Sequence, residues 1–321
     1  MLVRRVAGTL AAMVLLTGLS APPAWAQAYP DRKITFLVGF APGGGIDTFA
    51  RVIAQALGDR FGWQIIVENR PGAASNIAAK LVSVATPDGY TLLATGNSYA
   101  INQTLYRNPG YATEDIVPVA IVALDSQSLA VNADNPARTL EDFLAAAREK
   151  PFTYGYGGSS ARIAAEYAFR VLAKANGTGV PFQSGAPALG ALLGRHVDIN
   201  VGPVAEVTPM VRQGTVRALA VTGPRRAEAL PDVPTLEELG YTGIAINGFI
   251  ALLAPAKLPP EIGEKLNAAV NAVIADPKVE ERLRNLGYEP YRGSFADASG
   301  FLKKQIDTWG NLIRATGITI E

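Results

Sequence analysis

A glycine-rich loop between a predicted strand and a predicted helix is the first feature that could bind a ligand. The apolar run Ile34–Phe40 is typical of a buried strand, and Pro42 and Gly43–Gly45 end it. Apolar residues then recur at helical spacing from Ile46 to Leu57. Because the first amides of a helix lack internal partners and its dipole attracts negative charge, this loop could hold a carboxylate or a phosphate. The same residues would also suit a tight turn that binds nothing, so both interpretations stay open.

Two polar loops follow later predicted strands in the same way. Asn97–Asn102 comes after the strand Thr91–Thr95, and Gly157–Arg162 comes after the strand Phe152–Tyr156. In open α/β sheets, ligands bind beyond the carboxyl ends of the strands. We therefore expect the three loops to meet in a cleft between two lobes.

Strands and helices alternate along the chain, which predicts mainly parallel sheets with helices on both faces. The alternation occurs twice before a proline-rich connection that begins at residue 224, and one more strand and three helices follow it. We predict an α/β protein with two lobes that share more than one chain crossing. The lobes are residues 27–125 plus 245–321 and residues 126–244, with hinges near 125–128 and 224–247.

Several local predictions accompany this scheme. Val117–Leu124 and Leu129–Asn132 are predicted as two separate strands, because polar residues interrupt the apolar pattern between them. Thr139 is predicted to cap a helix, since acidic residues follow it in the first turn. A helix is predicted over Ala161–Ala173, and another is predicted to start at Pro234–Thr235.

The N-terminus has the pattern of a cleaved secretory signal peptide. Arg4 and Arg5 precede the charge-free apolar run Val6–Leu19, and Ala24-Trp25-Ala26 is an A-x-A cleavage site. The apolar run is short for a membrane span. We expect cleavage after Ala26 and export to the periplasm, by general secretion rather than by the twin-arginine route.

The composition excludes several kinds of site. The chain has no cysteine and one histidine, His196, so zinc–thiolate sites, cysteine nucleophiles and multi-histidine metal sites are ruled out. The formal net charge is +1, and no basic stripe occurs, which argues against nucleic acid as a partner. We expect no metal and no cofactor.

Two enzyme classes leave partial patterns. Gly43-x-Gly45 starts a dinucleotide-binding fingerprint, but Thr48 stands where the third small residue is needed. Ser159 lies in a glycine- and serine-rich segment that approaches a nucleophile elbow, but the last glycine of that motif is missing. The only base available to a serine esterase is His196, which we interpret as a turn residue.

Short motifs in a fixed order link the chain to a known family. They are Phe40–Asp47, Val67–Ala73, Pro87–Leu93, Ala100–Asn102, Arg217–Thr222, Leu230–Thr235 and Leu252–Pro255. Each is weak alone, but together they resemble the substrate-binding receptors of the tripartite tricarboxylate transporter family, the Bug or TctC-like periplasmic proteins. The resemblance implies a type II periplasmic-binding-protein fold whose two lobes close on a ligand. It also implies capture of a small organic carboxylate and its delivery to membrane permease subunits in other chains.

The resemblance also implies which residues bind the ligand, largely through backbone amides. Carried over by position, and with Phe182 nearby, they are Phe40, Ala41, Gly43, Gly44, Gly45, Asp47, Asn97, Ser98, Tyr99, Asn102, Ser159, Ser160, Arg162 and Phe182. For Asp47 we favour a role in capping loop amides, with ligand contact as the alternative.

This chain departs from the family pattern at several cleft positions. Tyr99 and Arg162 stand where the family often has His, Phe182 stands where it often has Tyr, and Phe249 stands where it often has Trp. A guanidinium can hold a carboxylate through two hydrogen bonds, so Arg162 is hypothesised to read a second carboxylate or an acidic ring substituent. The alternative is a solvated arginine at a helix start.

We therefore predict a monomeric, non-enzymatic periplasmic receptor for a small carboxylate, aromatic or di-acid in the finer hypothesis. A sensor receptor of the same fold, presenting its ligand to a signalling partner, is the alternative.

Overall fold

The computed structural model describes residues 29–244 and 246–318. The predicted signal peptide, residues 1–26, and its cleavage site lie outside this range. Among the described residues, no helix has both the length and the apolar character needed to cross a membrane.

Ten strands and ten α-helices make up the described part of the chain. The strands are β1 Ile34–Val38, β2 Ile65–Asn69, β3 Thr91–Gly96, β4 Ile116–Asn132, β5 Phe152–Gly157, β6 Gly177–Phe182, β7 Ile199–Pro203, β8 Val216–Val221, β9 Asn247–Pro255 and β10 Glu289–Pro290. The helices are α1 Gly45–Phe61, α2 Asn76–Ser83, α3 Asn97–Leu105, α4 Leu140–Glu149, α5 Ser159–Glu166, α6 Gly185–Leu193, α7 Val204–Arg212, α8 Pro260–Ile274, α9 Pro277–Asn285 and α10 Phe295–Thr316.

The strands form one continuous hydrogen-bonded sheet with two halves. Its order is β2-β1-β3-β9-β4-β7-β5-β6, and β8 and β10 also pair with β4. Neighbours are parallel in the outer parts of each half, whereas β9, β4, β7 and β8 meet in antiparallel pairs at the centre. The sheet is therefore mixed, and the prediction of a mainly parallel sheet is corrected at its centre.

Strand β4 joins the two halves. It runs unbroken for 17 residues, so the prediction of two separate strands is wrong. Polar residues lie inside the strand there because neighbouring segments supply hydrogen bonds at two of the positions. The Gln127 N–H donates to Thr222 Oγ1 at 3.0 Å, and Ser128 Oγ donates to the Gly202 carbonyl at 3.1 Å. The division into two lobes and the position of the hinges stay predictions.

Helix ends agree with the sequence where local chemistry decides them. Thr139 Oγ1 accepts a hydrogen bond from the Asp142 N–H at 3.1 Å, which confirms the predicted cap of α4. Two other helices differ from the prediction. The helix predicted over 161–173 already begins at Ser159 and changes after Glu166 into a π-helical stretch, 167–172. The helix predicted from Pro234–Thr235 is instead a run of turns.

Apolar side chains fill the layers between the sheet and its helices. One core packs α1 and α8 against β1, β3 and β9, with Phe36, Phe49 and Leu252 fully buried. A second core surrounds Trp309 of α10 and Phe169, and it continues under both halves. This packing fixes the strands, and it directs the carboxyl ends of β1, β3 and β5 towards one region.

Candidate functional site

A cavity of about 290 Å³ lies at the carboxyl ends of β1, β3 and β5. We call it the central cavity. It is lined by Phe40, Ile46, Ala74, Gly96, Asn97, Ser98, Ile101, Asp125, Gly158, Ser159, Ser160, Phe249, Ile250 and Tyr288. Its wall therefore combines apolar side chains with the beginnings of three helices.

Three helices start at the central cavity, and each has a glycine at its N-cap. These glycines are Gly44 for α1, Gly96 for α3 and Gly158 for α5, and none of the three helices has a side-chain cap. Gly158 has φ +90°, a conformation that other residues avoid. The first residues of α3 and α5 line the cavity directly, and α1 reaches it through Ile46 in its first turn. The first amides of these helices have no side-chain acceptor, and the positive ends of three dipoles lie at or next to the cavity.

The loop between β1 and α1 is held by a buried carboxylate. Asp47 is 2% exposed, and its oxygens accept hydrogen bonds from Gly43 N–H at 2.8 Å and Asn69 Nδ2 at 2.8 Å. Arg51 binds both oxygens, at 3.0 Å through Nε and at 2.9 Å through Nη2. Asn69 also donates to the Phe40 carbonyl at 3.0 Å. Asp47 thus orders the loop from beneath, and its oxygens are engaged within the protein.

The same contacts keep Asp47 ionised. Burial alone raises the pKa of its carboxyl group, but the hydrogen bonds from Arg51, Gly43 and Asn69 and the charge of Arg51 outweigh that effect. Together they lower the pKa to about 2.

The start of α3 is tied to strand β9. Asn97 Oδ1 accepts a hydrogen bond from the Phe249 N–H at 2.7 Å, so this side chain links two walls of the cavity. Gly96 is required here, since a Cβ on it would lie 2.8 Å from the Phe249 carbonyl oxygen. Ser98 is partly exposed and lies 3.5 Å from Thr95, measured between their hydroxyl oxygens.

Asn102 positions a further wall of the cavity from behind. It is 1% exposed, and its Nδ2 donates to the Ala74 carbonyl at 2.9 Å and to Asn76 Oδ1 at 2.7 Å. Ala74 has φ +51°, so this hydrogen bond supports a backbone conformation that is uncommon for alanine. Asn102 acts on the cavity through Ala74, without lining it.

The structure brings five of the fourteen carried-over residues to the cavity wall. These are Phe40, Asn97, Ser98, Ser159 and Ser160. Ala41, Gly43, Gly44, Gly45 and Asp47 form the loop and first helical turn behind Phe40 and Ile46, without lining the cavity themselves.

The remaining carried-over side chains lie further away. Tyr99 is 1% exposed in the core, where it stacks on Tyr111 with ring centroids 5.7 Å apart. Phe182 packs on a separate apolar cluster in the second half of the sheet. Arg162 does not line the cavity, and its Nε is shielded from solvent with no hydrogen-bond partner among the described residues.

Nine wall residues were not in the predicted set. They are Ile46, Ala74, Gly96, Ile101, Asp125, Gly158, Phe249, Ile250 and Tyr288. For Phe249, the sequence indicates only a departure from the family pattern and no position on the cavity wall. Most of the others adjoin the predicted loops, so the strand-end argument could have included them. Tyr288 follows α9, far along the chain, and no sequence signal pointed to it.

The arrangement does not support a serine esterase. Ser159 follows the carboxyl end of β5, whereas His196 precedes the amino end of β7, and β5 and β7 are parallel neighbours. The two side chains therefore lie at opposite edges of the sheet. His196 is exposed at the turn between α6 and β7, as the sequence predicts.

Comparison with known proteins places this geometry in a family. Residues 49–318 match the family described as the tripartite tricarboxylate transporter family receptor. A protein from the tcbD–tcbE intergenic region of Pseudomonas sp. strain P51 is 33% identical over 292 residues, which covers 89% of this chain and 87% of that protein. The protein BugT of Bordetella pertussis strain Tohama I is 30% identical over 324 residues, with 99% of each chain covered.

Solved structures show the same architecture. The periplasmic binding protein BugD is 28% identical, with a TM-score of 0.77 over 91% of this chain and 100% of that chain. Rpa4515 of R. palustris, solved with adipate, is 30% identical, with a TM-score of 0.79 over 91% and 99%. MatC of Rhodopseudomonas palustris, solved with bound malate, is 29% identical, with a TM-score of 0.75 over 89% and 100%.

The family is one of binding proteins and not of enzymes, and its known structures share the mixed α/β periplasmic-binding-protein fold described above. This chain therefore belongs to the tripartite tricarboxylate transporter receptor family and is a periplasmic solute-binding receptor.

Proposed function

We propose that the receptor captures a small organic carboxylate in the central cavity and delivers it to membrane permease subunits carried by other chains. The observation that carries this proposal is the convergence of three glycine-started helices on one cavity. Uncapped helix amides and helix dipoles favour a negative group. No lysine or arginine is among the described residues that line the cavity, so the available donors are backbone amides, serine hydroxyls, the Asn97 amide and the Tyr288 hydroxyl.

The shape of the cavity fits an acid with a hydrocarbon body. Phe40, Ile101 and Phe249 face the same space as the helix starts. A volume of about 290 Å³ lies at the lower end of the range for small-molecule sites. Two similar structures contain adipate and malate, which are both small dicarboxylates.

The ligand also provides the reason for closure. Ser159 and Ser160 come from the second half of the sheet, and Phe40 and Ser98 come from the first. A ligand that touches both halves binds the closed form more tightly than the open form, so it shifts the population towards closure. The closed form is the state that we expect the permease to recognise.

The test is a thermal-shift screen of the purified exported protein against mono-, di- and tricarboxylates, including aromatic acids. A ligand at 100 times its dissociation constant raises the stability by about 2.7 kcal/mol, which is a clear shift in melting temperature. We expect a shift with one class of acid and none with the corresponding amides or esters. A folded protein that responds to no carboxylate would contradict the proposal.

A further inference from the structure

One acidic side chain lies on the wall of the central cavity. Asp125, in the middle of β4, is the only charged residue among the described residues that line it. Its Oδ1 atom is shielded from solvent, and no donor in the described ranges, 29–244 and 246–318, forms a hydrogen bond with it. A buried carboxylate oxygen without a partner is unusual, since buried polar groups are normally paired. A carboxylate is also unexpected on the wall of a cavity whose other features suit an anion.

A second cavity, of about 270 Å³, is also lined by Asp125. We call it the side cavity. Asp125 and Tyr288 line both cavities, and the side cavity continues between α7 and the segment after α9. Asp125 is partly exposed and lies on the wall of both cavities, so a group on a bound ligand can approach its carboxyl group, although Oδ1 itself is shielded.

The charges around Asp125 are mostly negative. Glu206 of α7 and Glu289 of β10 are the acids that act on it, and Tyr288 adjoins it. Burial is the largest cause that raises the pKa of Asp125, and the two glutamates add to it. A backbone hydrogen bond from Ser126 to the carboxyl group opposes them, and the pKa is about 8. This end of the cavity thus disfavours a further negative charge.

Arginines near this end are mostly engaged by other acids. Arg225 binds Glu289 at 2.9 Å, and Arg284 binds Glu228 and also Glu280, the latter at 2.8 Å. Arg212 lines the side cavity from an exposed position at the end of α7. None of these arginines is among the described residues that form a hydrogen bond or an ion pair with Asp125.

We infer that Asp125 binds a positively charged nitrogen of the ligand, so that the receptor selects carboxylates that also carry an ammonium group. The three helix starts supply the positive end of the site and Asp125 supplies the negative end, which complements a zwitterion. An ammonium group donates to the Asp125 carboxylate, which has no ion-pair partner among the described residues, and offsets the repulsion from Glu206 and Glu289. This inference rests on the proposed function, because it assumes that the carboxylate lies at the helix starts.

The rival reading is a protonated Asp125 that donates a hydrogen bond to a second carboxylate. The two readings differ in the sign of the pH dependence. An ammonium ligand needs ionised Asp125, so its binding releases a proton below pH 8 and its affinity rises by up to about tenfold per pH unit as the pH increases. A second carboxylate needs protonated Asp125, so its affinity falls as the pH rises through 8.

The experiment is titration calorimetry with matched acid pairs at pH 6.0, 7.0, 8.0 and 9.0. Each amino acid is paired with the plain acid of the same skeleton: aspartate with succinate, glutamate with glutarate, and 4-(aminomethyl)benzoate with 4-methylbenzoate. We expect at least one amino member to bind about tenfold or more tightly than its plain partner, with affinity rising with pH. A plain acid that binds as tightly as its amino partner, or an affinity that falls with pH, would overturn the inference and leave the proposed function intact.

Absence of binding by every acid in these pairs and in the carboxylate screen would instead overturn the proposed function, and the inference with it. The variant Asp125→Asn keeps the shape of the side chain and removes its charge. We expect it to lose the preference for the amino member and its pH dependence, while the weak binding of the plain acid persists. Unchanged binding of the amino member would count against Asp125.

The control variant is Asp232→Asn, which removes the same charge from an exposed loop residue. We expect it to bind both members of each pair like the parent protein. Removing a repelled carboxylate relieves strain between like charges, so Asp125→Asn is also expected to melt no lower than the parent at pH 8.5. That result separates a lost ligand contact from a lost fold.

Discussion

Two groups of helices in this protein begin in opposite ways. Helices α4, α9 and α10 start with Thr139, Asp276 and Ser294, whose side chains accept hydrogen bonds from the first turn. Helices α1, α3 and α5 start with glycines at the central cavity and have no such cap. The same backbone amides are satisfied by the protein in the first group, whereas in the second group we propose that a bound anion satisfies them. An uncapped start is not confined to the cavity, since α2, α6, α7 and α8 also lack a side-chain cap. Among the described α-helices, a glycine N-cap is what distinguishes the three that meet at the cavity.

A negative charge placed at the start of a cavity helix should weaken ligand binding more than any other change considered below. Ser98→Asp places a carboxylate in the first turn of α3, where the dipole tolerates it but a bound anion does not. Repulsion between two carboxylates about 4 Å apart costs about 1 to 4 kcal/mol, so we expect affinity for the carboxylate to fall by roughly 100-fold in calorimetry.

The matched control for that variant is Ala296→Asp, at the equivalent position of the capped helix α10, where Ala296 is exposed. It adds the same charge in the same helical context, away from the cavity. We expect unchanged affinity and an unchanged or slightly higher melting temperature. Equal losses in the two variants would show that the charge acts at long range and would remove the distinction between the helix groups.

The stability that the loop before α1 contributes to the protein should depend on pH through Asp47. Its pKa is lowered to about 2 in the folded protein, so its contribution to stability is present above about pH 4 and is lost as the pH falls towards 2. We expect Asp47→Asn to lower the free energy of unfolding by about 2 kcal/mol at pH 7, measured with urea. The gap between variant and parent should narrow at pH 2.5; a constant gap would assign the loss to packing instead.

A variant of Arg162, in the first turn of α5, tests whether this helix start binds a second carboxylate. If its guanidinium binds a second carboxylate when the receptor closes, Arg162→Ala should weaken a di-acid by about tenfold and leave a mono-acid of the same body unchanged. Arg170→Ala is the control, because Arg170 pairs with Glu166 at 2.9 Å further along the same helical segment. Equal affinities for the di-acid in all three proteins would reject the hypothesis for Arg162.

Exchanging a glycine N-cap for serine at α1, or a threonine N-cap for glycine at α4, should change stability and affinity only slightly. Gly44→Ser fits its backbone, since a Cβ there meets only the Ala41 carbonyl at 3.4 Å, and it would give α1 a side-chain cap. We expect the stability to rise by a few tenths of a kcal/mol and carboxylate affinity to fall by about threefold, as the hydroxyl competes for the amides. Thr139→Gly should lower the stability by a similar amount and leave affinity unchanged.

The sequence predicted the local parts of this site better than its assembly. The loops after β1, β3 and β5 were found because glycine and serine at strand ends carry a local signal. The cap of α4 at Thr139 was predicted for the same reason, because a threonine followed by acidic residues is a local signal. Tyr99 is predicted at the ligand site, but the structure places its side chain in the core. The segment is already helical from Asn97, and the helix directs Tyr99 away from the cavity.

The rest of the site depends on contacts between distant parts of the chain. The polar segment 125–128 interrupts an apolar pattern and was interpreted as a break, whereas Thr222 and Gly202 supply the partners that let β4 continue through it. Tyr288 reaches the cavity because Gly45 leaves room for its hydroxyl group, a fit that no local pattern encodes.

The position of β9 has a consequence for how the protein folds. Strand β9 lies between β3 and β4 in the sheet, yet it follows them by more than a hundred residues, after the whole second half of the sheet. The first half therefore cannot complete its hydrogen bonding until the chain has reached residue 255. Long-range pairing of this kind carries a large loop-closure entropy and gives slow folding. Because Phe249 and Ile250 of β9 line the central cavity, we expect ligand-binding activity to be among the last properties recovered when the protein refolds from urea.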